Sequence, residues 1–367
     1  MPAKPPEIAD LLILGDDAAA AGAAIHAGRL GLSVILVSPP HSSDPSELVW
    51  LSPPGLKLCT ELGVRPAKCG AGVWTGVTLV SGDFQKQITL KQPTLSGWVV
   101  PNTRLRDELI RAAVAGGTRK SCGTLREIRS VNDLFCVELD DGETIRGRIG
   151  LLSDESAIGL SARSGALQHI RPRAAVSFAA LDTPPLGKTN ALHIIPPAQR
   201  DGPMAVWCSD AMRGRLCVYV RNGRGDPNAE LARILTAARA AGLLPAQSKV
   251  AVINGSLPAG DALEIDSHVG KRALLIGAVG GFVAAASNET LYTAIRSGLL
   301  AVEAAQRALK SSVIQDELVS FDAHWRRELA DFIRPMHTDL SLLHPLLFNN
   351  EQMAIRLAKA LLLGQPF

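Results

Sequence analysis

The sequence predicts an α/β protein in which a nucleotide-binding type of βαβ domain carries an inserted, mostly antiparallel β lobe and ends in a helical C-terminus. Residues 11–40 run as an apolar stretch, a turn, an alanine-rich stretch and a second apolar stretch, the order of one parallel crossover. After Ser164 the pattern changes to short apolar runs, which favour antiparallel strands. Residues 311–367 are interpreted as helical.

The opening unit is bounded by glycines. Residues 11–14 form an apolar run that ends at Gly15, as a buried parallel strand does. Helix formers dominate residues 18–30, and Gly31 follows as a stop signal. A second apolar run at 34–37 then predicts the next strand of the same crossover.

Further elements follow along the chain. Residues 103–117 predict a helix because their apolar positions recur at helical spacing, and Asp141-Gly142 predicts the turn of a hairpin. A helix at 227–244 interrupts the antiparallel runs. A long helix is predicted from about residue 290 to residue 310.

These elements predict that the chain is organised in three parts. A length of 367 residues exceeds the ~250–300 at which single cores tend to stop growing, which favours two lobes around a large core. The binding domain is predicted to be discontinuous, at 1–164 and 248–310. The antiparallel substrate lobe is predicted at 165–247, and a helical segment at 311–367.

Composition argues against several classes of protein. The net charge is only +3 and aromatic residues make up 4%, so nucleic acid is not an expected partner. Apolar runs stay shorter than the ~18 residues of a membrane span and no signal-peptide pattern is present, so the expected location is cytoplasmic. The six cysteines lack zinc or CxxC spacing and are interpreted as reduced structural thiols.

Several landmarks in order resemble one family. Residues 11–38 follow its strand, GxGxxG, helix, strand order, and 100–117 and 137–156 are similar to its helix entry and its DG hairpin. Residues 253–260 and 273–305 resemble its G-x-I-P-x-G strand and its distal glycine motif. The family is that of the FAD-dependent oxidoreductases with the glutathione-reductase type of fold, in the branch of geranylgeranyl reductases, aromatic hydroxylases and flavin-dependent halogenases. Covering about residues 8–310, the resemblance implies a Rossmann-like FAD/NAD(P)-binding domain with an inserted substrate lobe.

The resemblance also assigns the flavin site, and the first motif departs from its pattern. Gly15 keeps the first glycine, but Asp17 takes the second and Ala20 the third. Asp16 replaces a residue that is usually alanine or glycine in the family. Ser38 falls where the family has the acidic residue that binds the ribose.

The distal part of the implied flavin site keeps its shape and loses polar groups. Its glycines and aromatic residue remain, as Gly277, Gly280, Gly281 and Phe282. Ala278 replaces the carboxylate that binds the ribityl or phosphate region, and Asn102 replaces an arginine near the flavin. Glu289 and Gly298 keep two more family positions.

The two aspartates at the first turn suggest a physical explanation. A helix N-terminus presents unpaired N–H groups and a partial positive charge, which a phosphate satisfies in a cofactor-bound protein. We hypothesise that Asp16 or Asp17 satisfies them instead, since aspartate is a favoured N-cap. A carboxylate ~4 Å from a phosphate oxygen costs about 4 kcal/mol at an effective dielectric constant of 20. The predicted binding of FAD is therefore weak or absent.

Three functions remain in competition. The preferred one is a non-redox binding or scaffold protein derived from the flavin fold, because four polar anchors are changed together. The alternative is an active FAD-dependent reductase, monooxygenase or halogenase-like enzyme that acts on a lipophilic or aromatic substrate. An NADP-binding dehydrogenase ranks last because the arginine expected after the second strand is missing. No catalytic set and no protein partner can be assigned from the residues.

Weaker candidates lie outside the flavin motifs. Ala191, His193 and Ile195 align with aromatic positions of the reductase branch, so we expect an apolar pocket there that prefers a ligand unlike a polyprenyl chain. For His193 a satisfied core hydrogen bond is the favoured interpretation. His337 and His344 lie seven apart and lack a third ligand, so no metal is predicted.

Overall fold

The computed structural model describes residues 8–40, 47–165, 176–186, 190–199, 201–221, 223–245, 251–336 and 338–367. Within these ranges the helices are α1 (Ala18–Arg29), α2 (Pro53–Glu61), α3 (Pro66–Cys69), α4 (Asn102–Ala115), α5 (Glu155–Arg163), α6 (Pro227–Ala240), α7 (Tyr292–Lys310), α8 (Ile314–Ile333), α9 (His344–Leu347) and α10 (Glu351–Leu363).

The strands of the described ranges form three sheets. They are β1 (Ile8–Leu14), β2 (Val34–Ser38), β3 (Leu48–Leu51), β4 (Gly72–Trp74), β5 (Val77–Val80), β6 (Gln87–Leu90), β7 (Gly97–Pro101), β8 (Arg119–Cys122), β9 (Leu125–Val131), β10 (Leu134–Leu139), β11 (Thr144–Leu152), β12 (Val176–Thr183), β13 (Ala191–Ile195), β14 (Met204–Ser209), β15 (Gly214–Arg221), β16 (Ile253–Leu257), β17 (Val269–Gly270) and β18 (Ala273–Leu275).

The first sheet contains the predicted crossover. Its strand order is β17-β18-β11-β1-β2-β8, and β1 pairs in parallel with both β2 and β11. The strand β10 adds to β11 as an antiparallel hairpin, and Gly142 takes a φ of 87° at its turn, so the predicted Asp141-Gly142 hairpin is confirmed. Both faces of β1 are buried, which explains its continuous apolar run.

The helix of the crossover packs closely on a distant helix. A Cβ atom added at Gly22 of α1 would lie 2.8 Å from Ile295 Cγ2 of α7, and one added at Gly298 of α7 would lie 2.8 Å from the Ala19 carbonyl oxygen. The small side chains of the alanine-rich helix α1 therefore allow close contact with α7. This contact holds the two helices side by side.

The second sheet is the inserted, mostly antiparallel one. Its strand order is β16-β12-β15-β14-β13-β5-β6, and only the β13–β5 pair among these is parallel. The strands β5, β6 and β16 come from outside residues 165–247, so the sheet extends beyond the predicted range of the lobe. One face packs on α6 through Trp207 and Ile234. The other face packs on the sheet of β3, β4 and β7 and on α10.

The C-terminal segment is helical, as predicted. Helix α8 packs on α7, and its Phe321 and Trp325 contact the Phe282 ring, with a centroid distance of 5.2 Å between Phe282 and Trp325. Helix α10 packs Leu357 and Leu361 against the second sheet and β3. None of the helices in the described ranges has the length and apolar character needed to cross a membrane.

Candidate functional site

The two glycine turns of the predicted flavin site lie beside the same residue, Ser153, which directly follows β11. A Cβ atom added at Gly15, whose φ is 131°, would lie 3.1 Å from Ser153 Cβ. One added at Gly277 would lie 2.8 Å from Ser153 Oγ and 3.3 Å from Asp17 Oδ2. A side chain at either position would crowd Ser153, and the positive φ of both residues also favours glycine. The prediction that Gly15 and Gly277 lie near each other, despite their separation in the sequence, is thus confirmed.

Asp17 caps the helix that begins at this turn. Its backbone is extended, and its Oδ1 atom accepts a hydrogen bond from the Ala20 backbone N–H at 2.8 Å. The hypothesis that an aspartate caps α1 is therefore confirmed for Asp17. Asp16 points elsewhere, with its Oδ2 atom 3.9 Å from Arg106 Nη1 of α4.

The environment of the Asp17 carboxyl opposes its charge. Desolvation raises its pKa and outweighs the hydrogen bonds from Ala20 and Ser153, which lower it, while Asp16 adds a repulsive contribution. A second anion at this position would meet the same desolvation and a like charge. The N-terminus of α1 is thus occupied by a carboxyl group of the chain itself.

We expect Asp17→Ala to lower the free energy of unfolding by about 1 kcal/mol, since it removes an N-cap. Asp17→Asn should keep most of that stability because the amide oxygen can still accept from Ala20. Asp226→Ala at the start of α6 is a matched control, because Asp226 caps its helix through the Asn228 N–H at 2.9 Å. Urea denaturation measures all three variants, and a stabilised Asp17→Ala protein would contradict the capping role.

The other predicted flavin contacts make different interactions. Ser38 ends β2, is 3% exposed, and has no hydrogen-bond partner for its hydroxyl among the described residues. Asn102 begins α4, and its Nδ2 donates to Glu47 Oε2 at 2.7 Å. Its backbone N–H also donates to the Glu47 carbonyl at 2.8 Å, so Asn102 holds the residue before β3 in place. Ala278 begins a short 3₁₀ turn.

The distal turn, from Gly277 to Phe282, packs closely against other segments of the same chain. Gly281 has a φ of 78°, and a Cβ atom there would lie 2.3 Å from the Ala262 backbone nitrogen. Phe282 is fully buried, with its ring 4.7 Å from the His268 ring. His268 Nε2 in turn lies 2.9 Å from the Gly280 carbonyl oxygen. The retained glycines and Phe282 therefore form a well-supported backbone turn.

A cavity of about 80 Å³ lies between the second sheet, β3 and residues 288–290, which precede α7. We call it the interlobe cavity, and its walls include Trp50, Phe178, Arg215, Tyr219, Asn288 and Glu289. The strand β15 supplies Arg215, Cys217 and Tyr219 to it, while Leu216 and Val218 pack on the α6 side. Sequence reasoning missed these residues, although the alternation of polar and aliphatic residues in β15 was a usable signal.

The residues predicted to line a pocket lie on the other face of the same sheet. His193 pairs with Trp207, and Ile195 and Trp207 belong to the core beneath α6. Leu192 and Ile194 turn toward the interlobe side instead. Strand alternation therefore turns Ala191, His193 and Ile195 away from the interlobe cavity, and Ile195 instead borders a separate cavity on the α6 side of the sheet.

His193 is partly buried in β13. Burial lowers its pKa to about 4. Its Nδ1 atom is buried and lacks a hydrogen-bond partner within the described part of the chain.

Charge in the interlobe cavity is concentrated on one cation and its acidic neighbours. Arg215 is 4% exposed, with Nη1 3.2 Å from Asp182 Oδ1 and Nη2 3.9 Å from Glu47 Oε1. Glu289 is 3% exposed and accepts from the Tyr292 N–H at 2.8 Å at the start of α7. Burial raises the pKa of Glu289 to about 7. The guanidinium is thus balanced by carboxylates already present.

Metal ligands are not clustered in the described ranges. No group of three or more His, Cys, Asp or Glu side chains there is placed to hold a metal ion. His344 lies at the start of α9, and its predicted companion His337 lies outside the described residues. All six cysteines carry free thiols.

Comparison with known proteins identifies the fold. No family model matches the sequence, and no curated protein matches it. Solved structures do match, among them a geranylgeranyl bacteriochlorophyll reductase-like protein from Thermoplasma acidophilum, with a TM-score of 0.74, 12% identity and coverage of 89% of this chain and 85% of that chain.

Two further solved structures have names that state a flavin dependence. The flavin-dependent brominase Bmp2 matches with a TM-score of 0.72, 12% identity and coverage of 96% of this chain and 90% of its own. PqsL, a probable FAD-dependent monooxygenase from Pseudomonas aeruginosa, matches with a TM-score of 0.67, 16% identity and coverage of 96% and 99%. The chain therefore has the Rossmann-like FAD/NAD(P)-binding fold of the FAD-dependent oxidoreductases. The fold predicted from the motif order is confirmed.

Proposed function

We propose that this chain is a non-redox derivative of the FAD-dependent oxidoreductase fold, which binds a small ligand in the interlobe cavity and does not hold flavin tightly. The observation that carries the proposal is the Asp17 carboxyl, which accepts the Ala20 N–H at the helix start where the family places a pyrophosphate. A pyrophosphate in that position would have to displace the cap and approach a like charge.

The surrounding residues support the same conclusion. Ser38 and Ala278 offer no carboxylate to a ribose or ribityl chain, and Asn102 is engaged by Glu47. Gly15, Ser38 and Gly277 are buried within the protein itself. The residues present therefore do not fit FAD in the manner that the family implies. The interlobe cavity, with aromatic walls and a buried guanidinium, offers the better ligand site.

The direct test is the visible absorption of the freshly purified full chain, which should show no stoichiometric oxidised flavin. FAD titrated into the protein should quench little flavin fluorescence and should raise the melting temperature little. The variant Asp16→Ala, Asp17→Gly, Ser38→Glu, Ala278→Asp should bind FAD at least tenfold more tightly, since each charge contact removed or added shifts the affinity by about a decade or more.

Two controls sharpen that experiment. Ser38→Glu with Ala278→Asp, leaving both aspartates, separates lost attraction from added repulsion and should gain less affinity than the four-site variant. A native chain that carries stoichiometric flavin through purification would overturn the proposal.

The alternative is an active FAD-dependent oxidoreductase that acts on a lipophilic or aromatic substrate. The specific observation in its favour is the retained turn from Gly277 to Phe282, whose backbone is held by the His268 contact to the Gly280 carbonyl. Reduction of a bound, yellow cofactor by NADH or NADPH would establish this alternative in place of the binding function.

A further inference from the structure

A second cavity, of about 540 Å³, lies on the α6 side of the inserted sheet. We call it the α6 cavity, and four segments form its walls: the β5–β6 turn, the loop from β13 to β14, helix α6 and helix α9 with the residue after it. Its volume lies within the roughly 300–1,000 Å³ of small-molecule sites. The described walls contain none of the residues predicted for the flavin site.

The floor of the α6 cavity is apolar and buried. Ile234 of α6 is 1% exposed, Ile195 of β13 is 6% exposed, and Phe348, which directly follows α9, is 9% exposed. An apolar surface placed on these side chains would leave water, which is favourable in proportion to the area covered. The floor therefore suits the apolar body of a ligand.

Three prolines restrict the backbone of the walls. Pro196 directly follows β13, Pro203 directly precedes β14, and Pro345 lies in α9. The proline ring fixes φ near −65°, so the backbone at these positions has little freedom. Walls that are already ordered lose less conformational entropy when a ligand binds.

Both carboxylates of the walls are engaged within the protein. Glu230 accepts a hydrogen bond from Arg233 Nε at 2.9 Å. The Asp83 carboxylate accepts from the Ser81 hydroxyl at 2.5 Å, and this contact lowers the pKa of Asp83. A cationic ligand would therefore have to compete for carboxylates that already have partners.

Lys86 is the charged wall residue with free donors. Its ammonium group forms no ion pair or hydrogen bond with the part of the chain that the structure describes, although its charge stabilises the Asp83 carboxylate at longer range. Burial lowers the pKa of His344, which lines the same cavity, so this side chain is neutral at pH 7. The Lys86 ammonium thus offers its three N–H donors to a ligand.

We propose that the α6 cavity binds an organic anion, a carboxylate with an apolar body of about two rings. The carboxylate would pair with Lys86, and the body would cover Ile195, Ile234 and Phe348. The volume exceeds several times the roughly 150 Å³ at which an engineered cavity takes up benzene, so two rings have room. This site is separate from the interlobe cavity, and the inference does not depend on the proposed function.

The experiment compares naphthylacetate with naphthylacetamide, an uncharged molecule of nearly the same shape. In ligand-observed NMR titration at pH 7, the full chain should bind the carboxylate about 2- to 5-fold more tightly, the effect of one exposed ion pair. Lys86→Gln should bring the ratio of the two affinities to about one. Lys120→Gln is the matched control, because Lys120 is an exposed lysine of β8 that does not line the cavity, and it should keep the ratio.

A second pair of variants tests the location. Ala198 is exposed and lines the α6 cavity, so Ala198→Trp fills space there without entering the core. It should weaken the binding of both probes by about tenfold or more. Ala211→Trp, at the exposed turn between β14 and β15, is the matched control and should bind both probes as the native chain does.

Absence of binding by the native chain, an affinity for the amide that equals or exceeds that for the carboxylate, or unchanged binding in Ala198→Trp would overturn the inference. An unchanged affinity ratio in Lys86→Gln would overturn the role of Lys86. Sedimentation velocity identifies a further contrary result: a native oligomer that dissociates in Ala198→Trp would mean that a second copy of the chain fills the cavity.

Discussion

Gly281→Ala is expected to lower the free energy of unfolding by about 2–5 kcal/mol, the sum of left-handed backbone strain and overpacking. The new Cβ atom would lie 2.3 Å from the Ala262 backbone nitrogen, which cannot move without shifting the chain around it. Urea denaturation followed by tryptophan fluorescence measures the loss, because Trp325 lies beside Phe282 in the affected core.

The control for Gly281→Ala isolates the steric part. Gly142 has a φ of 87°, and a Cβ atom there meets nothing within 4 Å. Gly142→Ala should therefore cost only the backbone strain, roughly 1–2 kcal/mol. Equal losses in the two variants would mean that the distal turn is not tightly packed against Ala262.

The second large effect concerns pH. Glu289 has a pKa of about 7 in the folded protein against an ordinary value of 4.5, because burial disfavours its charge. A carboxyl whose folded pKa is raised contributes stability that is present below pH 4.5 and is lost as the pH rises through about 7. Between pH 4.5 and 8 this single group should lower the free energy of unfolding by on the order of 3 kcal/mol.

Glu289→Gln tests that dependence. The glutamine can still accept from the Tyr292 N–H but does not titrate, so stability should change less between pH 4.5 and pH 8 in the variant than in the native protein. Glu61→Gln serves as a control, because the Glu61 side chain is 58% exposed. Should the native protein and Glu289→Gln show the same pH dependence, the buried carboxyl has no such role.

Much of the framework was predictable because it depends on local pattern. The β1–α1–β2 unit, the Asp141-Gly142 hairpin, and helices α4, α6 and α7 all follow from apolar spacing and turn residues. The capping role of Asp17 was also accessible, since an aspartate before an alanine-rich helix has few other uses. Each of these features is determined by residues that lie within a few positions of it in the sequence.

The short elements between residues 48 and 101 were not predicted. The three-stranded sheet β3-β7-β4 joins strands of three to five residues whose pairing crosses α2 and α3. Runs of that length carry too little periodicity to separate strand from loop. Their formation depends on contacts that the sequence places far apart.

The candidate site was predictable only in part. Asn102 was expected beside a flavin, whereas it binds Glu47, a residue 55 positions away. The sequence did not indicate which face of the sheet His193 lies on, because β13 has only five residues and its one polar side chain is His193 itself. The alternation of β15 was visible in the sequence. It predicts a cavity wall only when the polar face is known to lie inside the molecule.

The contact between α1 and α7 also sets how the molecule can move. With Gly22 against Ile295 and Gly298 against Ala19, the two helices interlock and cannot slide without steric overlap. They therefore act mechanically as one rigid body that fixes the spacing of the Asp17 and Glu289 caps. Widening of the interlobe cavity is then expected from movement of its other walls, β3 and the inserted sheet, in which β15 carries Arg215 and Tyr219 on the cavity side.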